Sequence, residues 1–281
     1  MIIFSKYKEL TEAAWRKRVE SVAGKTHDAK SLQHIYREIL SFVDLTTLEG
    51  SDTTERVSKL CNKAYTLANK TKKIPQVAAV CVYPPFVKQC KAALNGKNIN
   101  VASVAGAFPS GQSPLPVKLK EIEFAVEEGA DEIDMVISRG KFLEGDHQTV
   151  FNEIAAIRAV CKNVHLKVIL ETGELQTPGN IRKASEIAIN AGADFIKTST
   201  GKMQPAATEL AAVVMCDTIL EYYNVTGIRI GFKPAGGISE PEIALRYYNI
   251  VNEILGTEWL TKELFRIGAS RLVDNLLKVI V

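Results

Sequence analysis

The 281-residue sequence predicts an α/β protein: a closed (β/α)8 barrel of the TIM-barrel type, with an N-terminal helical extension. Three observations predict it. Eight short apolar, β-branched runs recur along the chain, and helix-length segments separate them, which implies a parallel sheet. Two helix-to-strand junctions end alike, EEGADEIDMVI (127–137) and NAGADFIKTS (190–199), so an αβ unit repeats. The length suits a single barrel, which takes about 250 residues. An open doubly wound sheet is the rival architecture, but its G-x-G-x-x-G fingerprint is missing.

The elements follow in order. Residues 1–38 carry Trp15, Val19 and Val22 at helical spacing and read as one or two helices outside the barrel. The barrel domain then occupies 39–281. Its eight strands are expected in SFVDLT (41–46), VAAVCVY (77–83), INVASVA (99–105), DEIDMVI (131–137), VHLKVIL (164–170), DFIKTS (194–199), IRIGFKP (228–234) and LFRIGAS (264–270). KLKEIEFAVEE (118–128) and HQTVFNEIAAIRAVC (147–161) show the 3.6-residue period of helices between strands. Gly129 and Gly192 are placed to stop the helices before strands four and six.

Composition narrows the function. The chain is 46% hydrophobic and 24% charged with net charge +3, ordinary values for a globular protein. The excess of positive charge is too small to argue for nucleic acid, but it suits an anionic small substrate. Five scattered cysteines without a C-x-x-C, and four histidines without H-x-x-x-H spacing, suggest neither a disulfide framework nor a metal site. No cofactor is expected. The opening MIIFSKYKEL is too short an apolar run for a signal peptide, and no stretch approaches the roughly 20 apolar residues of a membrane span. A cytoplasmic protein with no membrane partner is expected.

Strand alternation then places charges inside the barrel. In DEIDMVI, Ile133, Met135 and Ile137 suit the helix layer, so Glu132, Asp134 and Val136 face inward. In VHLKVIL, Lys167 and Ile169 face inward and Glu171 follows the strand. Lys197 shares a face with Phe195, and Lys233 with Gly231 and Arg229. Asp134, Lys167, Lys197 and Lys233 thus come from strands four to seven, near the ends where barrel active sites are built. A structural ion-pair network is the plain reading of such a set. Three lysines against two or three carboxylates pair poorly, however, and imine chemistry explains them better. Burial and a neighbouring ammonium both lower a lysine pKa, which frees an amine to attack a carbonyl. These residues alone leave open which lysine attacks.

Glycine-rich segments follow the same strands. TSTGK follows Lys197, PAGGIS follows Lys233, and SR closes the eighth strand run at 270–271. Glycines let backbone N–H groups approach an anion, and loops after strands seven and eight form a common barrel phosphate site. Gly201, Lys202, Gly236, Gly237 and Ser270 are the candidates. The absence of G-x-x-x-x-G-K-[ST] argues against a nucleoside triphosphate.

DLTTL (44–48), VCVYPP (80–85), LKVILETGEL (166–175), RKASEIAINAGADFIKTSTGK (182–202) and GFKPAGGI (231–238) resemble the 2-deoxyribose-5-phosphate aldolase family. The resemblance runs from about Asp44 to about residue 275. It implies a metal-free class I aldolase in deoxyribonucleotide catabolism. Such an enzyme reversibly cleaves 2-deoxy-D-ribose 5-phosphate to D-glyceraldehyde 3-phosphate and acetaldehyde. It implies that Lys197 forms the Schiff base, that Lys233 depresses its pKa, and that Asp134 shuttles protons through water. Asp44, Thr46 and Cys81 would line the substrate pocket, although Cys81 also reads as a small buried strand residue. Lys167 would support the charge network, Lys202 would bind the substrate, and Gly201, Gly236, Gly237 and Ser270 would hold its phosphate. The expected partner is therefore a small phosphorylated sugar; a homodimer and a tetramer are both open. Two departures stand out. Arg271 replaces a second serine found in some members, and no tyrosine follows Tyr248, whereas some bacterial members carry one in a C-terminal tail. The alternative is a catalytically weak or inactive aldolase-like scaffold; loss of Lys197 or Asp134 would have marked it.

Overall fold

A computed structural model describes residues 2–68 and 74–280. Two helices come first, α1 (Glu12–Ala23) and α2 (Ala29–Ser41), and then the alternation begins. The first half runs β1 (Val43–Thr46), α3 (Thr54–Thr66), β2 (Ala79–Val82), α4 (Val87–Ala93), β3 (Asn100–Ala105), α5 (Leu115–Glu127), β4 (Glu132–Val136), α6 (Arg139–Leu143) and α7 (His147–Cys161). The second half runs β5 (His165–Ile169), α8 (Thr172–Leu175), α9 (Pro178–Asn190), β6 (Phe195–Lys197), α10 (Glu209–Thr226), β7 (Gly231–Lys233), α11 (Pro241–Leu255), β8 (Ile267–Ala269) and α12 (Leu272–Ile280). Among the described residues no helix is long and apolar enough to cross a membrane.

All eight predicted strands form, each shorter than its apolar run. They pair in parallel in the order β7-β6-β5-β4-β3-β2-β1-β8. The ring closes between β7 and β8 through isolated parallel bridges, Phe232 to Phe265 and Ala235 to Gly268. Backbone hydrogen bonds make this seam: the Phe232 N–H donates to Leu264 O (2.9 Å), and the Gly268 N–H to Pro234 O (2.9 Å). The fold is the predicted (β/α)8 barrel.

The GAD repeat has a mechanical purpose. Gly129 and Gly192 each take φ +97°, in the left-handed region where a Cβ is costly. Each ends its helix in the same way, with Ala130 N–H donating to Ala125 O (3.0 Å) and Ala193 N–H to Ala188 O (3.1 Å). The aspartate that follows hooks the preceding strand. Asp131 accepts from the Val101 N–H (2.8 Å), and Asp194 from the Leu166 N–H (2.7 Å). Lys91 and Arg158 then neutralise the two carboxylates. The motif therefore stops a helix and sets the height of one strand against its neighbour.

Side-chain alternation divides the interior. Val80, Val101, Ile133, Met135, Val168, Ile196 and Phe232 point outward into one apolar layer shared with the helices. Inside the ring lies a smaller apolar cluster, Leu48, Cys81, Ala102 and Val104, beside a set of buried charges. The leading helices lie on the barrel's flank: α1 packs on α10 and α11, and α2 on α11 and α12. Asn249 pins the turn between them, donating to Ala23 O and Lys25 O (3.0 Å each).

One expectation needs correction. Arg229 does not share the inner face with Lys233, because β7 begins only at Gly231. Arg229 is exposed and lies over the rings of Tyr223 (5.7 Å) and Trp259 (5.5 Å). A guanidinium keeps its hydration there while covering two aromatic faces.

Candidate active site

The inner charges come from consecutive strands in register. Asp134 on β4 pairs laterally with Lys167 on β5, and Lys197 on β6 with Lys233 on β7. Side chains at paired positions of adjacent parallel strands lie at equal height on the same face. The amines of Lys197 and Lys233 therefore converge, and both donate to Asp134 Oδ2 at 2.7 Å. Lys167 donates to Asp134 Oδ1 at 2.9 Å. Lys233 also reaches Asp44 Oδ2 at 2.5 Å, and Lys167 is hydrogen-bonded to Glu132.

Arg266 completes the cluster, and sequence reasoning did not single it out. It is 1% exposed, with Nη1 2.7 Å from Asp44 Oδ1 and Nη2 2.6 Å from Glu132 Oε1. A signal existed, since alternation from Ile267, which faces the helices, turns Arg266 inward with Gly268. Removing one partner from a buried ionic network leaves charges without compensation. Arg266→Met is accordingly expected to destabilise the fold by about 3–5 kcal/mol, read from urea unfolding. A change below about 1 kcal/mol would show that Asp44 and Glu132 do not depend on it.

The charges do not balance. Asp44, Glu132 and Asp134 face Lys167, Lys197, Lys233 and Arg266, three carboxylates against four cationic side chains, all buried. A spare charge in a low-dielectric interior is expensive, and a group there gives up its proton instead. Arg266 cannot, because a guanidinium stays protonated. Lys233 and Lys167 are held above the ordinary lysine value: burial opposes their charge, but the adjoining carboxylates outweigh it. Lys197 differs. Burial depresses its pKa most, and the Lys233 ammonium adds to that, against a partial pull from Asp134. The same cations hold the Asp134 carboxyl well below its usual range in spite of burial. Lys197 is thus the one amine of the set displaced toward neutrality.

Above the cluster a cavity of about 480 Å3 opens at the strands' C-terminal ends, with Lys197 among its lining residues. Thr46, Gly201, Lys202, Gly236, Gly237 and Ser270 also line it, as does Arg271. The loops after β6 and β7 pack backbone to backbone. A Cβ on Gly236 (φ +84°) would stand 2.6 Å from the Ala206 Cβ and 3.0 Å from the Gly201 Cα. Glycine at 236 is what permits this approach, and Gly201 suits its own left-handed backbone (φ +78°). Among the described residues, the N–H groups of Gly237 and Ser270 donate to no backbone acceptor. They are the kind of donors an anion binds.

The remaining candidates divide. The Thr46 hydroxyl donates to Asp44 O (2.7 Å) at the cavity wall, and Lys202 pairs with Glu49 (2.9 Å) at the rim. Asp44, Asp134, Lys167 and Cys81 are not lining residues; they lie buried in the barrel interior with the Lys197 stem. Burial pushes the Cys81 thiol up to about 11, so it stays protonated near neutral pH. A protonated thiol packs as a small apolar group there.

The barrel is a carbon–carbon lyase. The chain belongs to the DeoC/LacD family of aldolases, whose model matches residues 39–246. It is 45% identical to the human deoxyribose-phosphate aldolase, over 95% of this chain and 88% of that one. With the deoxyribose-phosphate aldolase of Agrobacterium fabrum it shares 44% identity, over 86% and 90%. Among solved structures it resembles an aldolase named QR15, with TM-score 0.68 and 28% identity over 85% of this chain and 95% of the other. The tetrameric deoxyribose phosphate aldolase of Aeropyrum pernix shares the fold, with TM-score 0.69 at 23% identity over 97% and 100%.

Proposed function

We propose that the protein is a class I aldolase that reversibly cleaves 2-deoxy-D-ribose 5-phosphate to D-glyceraldehyde 3-phosphate and acetaldehyde. The reading rests above all on one observation: Lys197 reaches the cavity as the surplus cation of a buried cluster and shares Asp134 Oδ2 with Lys233.

The neutral Lys197 amine attacks the aldehyde carbon of the open-chain sugar. Loss of water from the carbinolamine leaves a protonated imine. Asp134, acting through a water molecule, removes the proton of the C3 hydroxyl. Its low pKa makes it a relay that passes this proton on rather than keeping it. The C2–C3 bond breaks, its electron pair moves into the imine to give an enamine, and glyceraldehyde 3-phosphate departs. Protonation of the enamine carbon and hydrolysis of the imine then release acetaldehyde and restore the amine. Gly201, Gly236, Gly237 and Ser270 grip the phosphate, with Lys202 beside them, and hold the far end of the substrate in register. Thr46 lies at the wall beside the reacting carbons, and Asp44 and Lys167 keep the charge cluster in place. This reading places the protein in deoxyribonucleotide catabolism in the cytoplasm. The similarities to the human and Agrobacterium fabrum enzymes and to QR15, at 28–45% identity, support the aldolase reading.

Trapping tests the chemistry directly. Incubation with acetaldehyde and borohydride is expected to add one ethyl group to the peptide containing Lys197, read by mass spectrometry. An unmodified but folded protein would refute imine catalysis and favour a binding scaffold.

A further inference from the structure

Glu171 is fully buried, lies outside the charge cluster, and does not line the cavity. It is nevertheless held at φ +55° and ψ +61°, in the left-handed region that disfavours any residue with a Cβ. A buried carboxylate in a strained backbone needs partners that offset both costs. Its partners lie on two other loops. Thr200 donates to it twice, through its hydroxyl (2.5 Å) and its N–H (3.2 Å). Arg139, at the start of α6, donates to the same carboxylate at 3.2 Å. Arg139 is itself fixed by Glu174 (2.9 Å) and by Ser110 O (2.9 Å).

The chain of contacts continues toward the cavity. The Thr200 hydroxyl oxygen accepts from the Lys202 N–H at 3.1 Å, so the turn at Gly201 is closed by the group that Glu171 holds. The far end of the same loop is braced independently. Gly173 on α8 abuts it so closely that a Cβ there would stand 2.1 Å from Pro205 O. The segment Glu171–Glu174 therefore meets the loop at Thr200 and at Pro205, on either side of Gly201 and Lys202, which line the cavity.

We propose that Glu171 is a positioning residue for phosphate recognition: through Thr200 it fixes the Thr200–Lys202 backbone at the geometry that receives the substrate's phosphate. The proposal rests on the phosphate-gripping role given to that loop above. Glutamate stands at a position whose backbone favours glycine, and its carboxylate ties its own segment to Thr200 and to Arg139.

The test compares Glu171→Gly, which suits the left-handed backbone but lacks the carboxylate, with Glu171→Gln, which keeps an acceptor for Thr200. Loss of charge-assisted hydrogen bonds to the loop is expected to raise KM for deoxyribose 5-phosphate about tenfold or more in Glu171→Gly, with kcat within about twofold. Glu171→Gln should recover most of that loss. Acetaldehyde trapping at Lys197, which involves no phosphate, should proceed at the wild-type rate in both. Thr200→Val, which removes the hydroxyl while keeping the shape, should reproduce the KM effect and supplies the answer if Glu171→Gly fails to fold. An unchanged KM in the folded variants would overturn the proposal, and so would an equal fall in trapping and cleavage. Binding of inorganic phosphate, measured by calorimetry, separates this inference from the activity. If the wild-type protein cleaves nothing, the aldolase reading falls. Weaker phosphate binding in the variants would still support the brace, and equal binding would refute it.

Discussion

Lys197→Ala is expected to abolish cleavage of deoxyribose 5-phosphate, by a factor on the order of 10^4 or more, because no other group can carry the covalent step. The folded protein should survive the change. With Lys197 neutral, three carboxylates face three cations, Lys167, Lys233 and Arg266, and removing Lys197 leaves that balance in place. No buried charge loses its opposite, so the cost is confined to the missing stem. The expected result is an inactive variant that retains its circular dichroism and cooperative unfolding and gains no ethyl group with acetaldehyde and borohydride. Residual cleavage near the wild-type rate would move the imine to another lysine and remove the basis of the mechanism.

Lys233→Leu should be nearly as damaging, and for a reason visible only in a pH profile. In the native cluster Lys233 repels the charge on Lys197 and competes with it for Asp134 Oδ2. Without Lys233, Asp134 is left to Lys197 and Lys167, and the count becomes even only if Lys197 is protonated. Its pKa therefore rises. The amine is neutral only above its pKa, so the acid limb of activity moves to higher pH. Each unit of that shift lowers the neutral fraction at pH 7 about tenfold, and a rise of two units costs about a hundredfold. Activity should return in part as pH is raised. A variant with full activity at neutral pH would show that burial alone sets the Lys197 pKa. One that stays inactive at every pH would show that Lys233 does more than displace a proton.

The parts of the site that were legible in the sequence were those carried by strand periodicity. In DEIDMVI and VHLKVIL every second residue is apolar, so the charges between them had to face the other way. Asp134 and Lys167 do face inward and stand side by side. Alternation failed at Arg229 because β7 is only three residues long, and a period of two says nothing beyond the strand's end. Arg266 could have been found by the same rule, since it precedes the outward Ile267 by one position. Its importance lies in a charge count across five strands and their flanks, which no local pattern contains. The sequence places Glu171 just after its strand but does not carry its left-handed backbone. Nothing in LETGEL separates that conformation from a continued strand, because the strain is held by Thr200 and Arg139, 29 and 32 residues away. The glycine loops were legible as segments that meet at the cavity, because a close approach of two backbones needs a residue without a Cβ.

The join between β7 and β8 rests on isolated bridges, whereas every other neighbouring pair shares a continuous ladder. The three helices that flank this join, α10, α11 and α12, are those covered by the first two helices of the chain. The polypeptide thus doubles back over the thinnest place in its own wall. Lys233 and Arg266 sit on either side of that place, so the first two helices lie behind the helices that back the two cations at the seam.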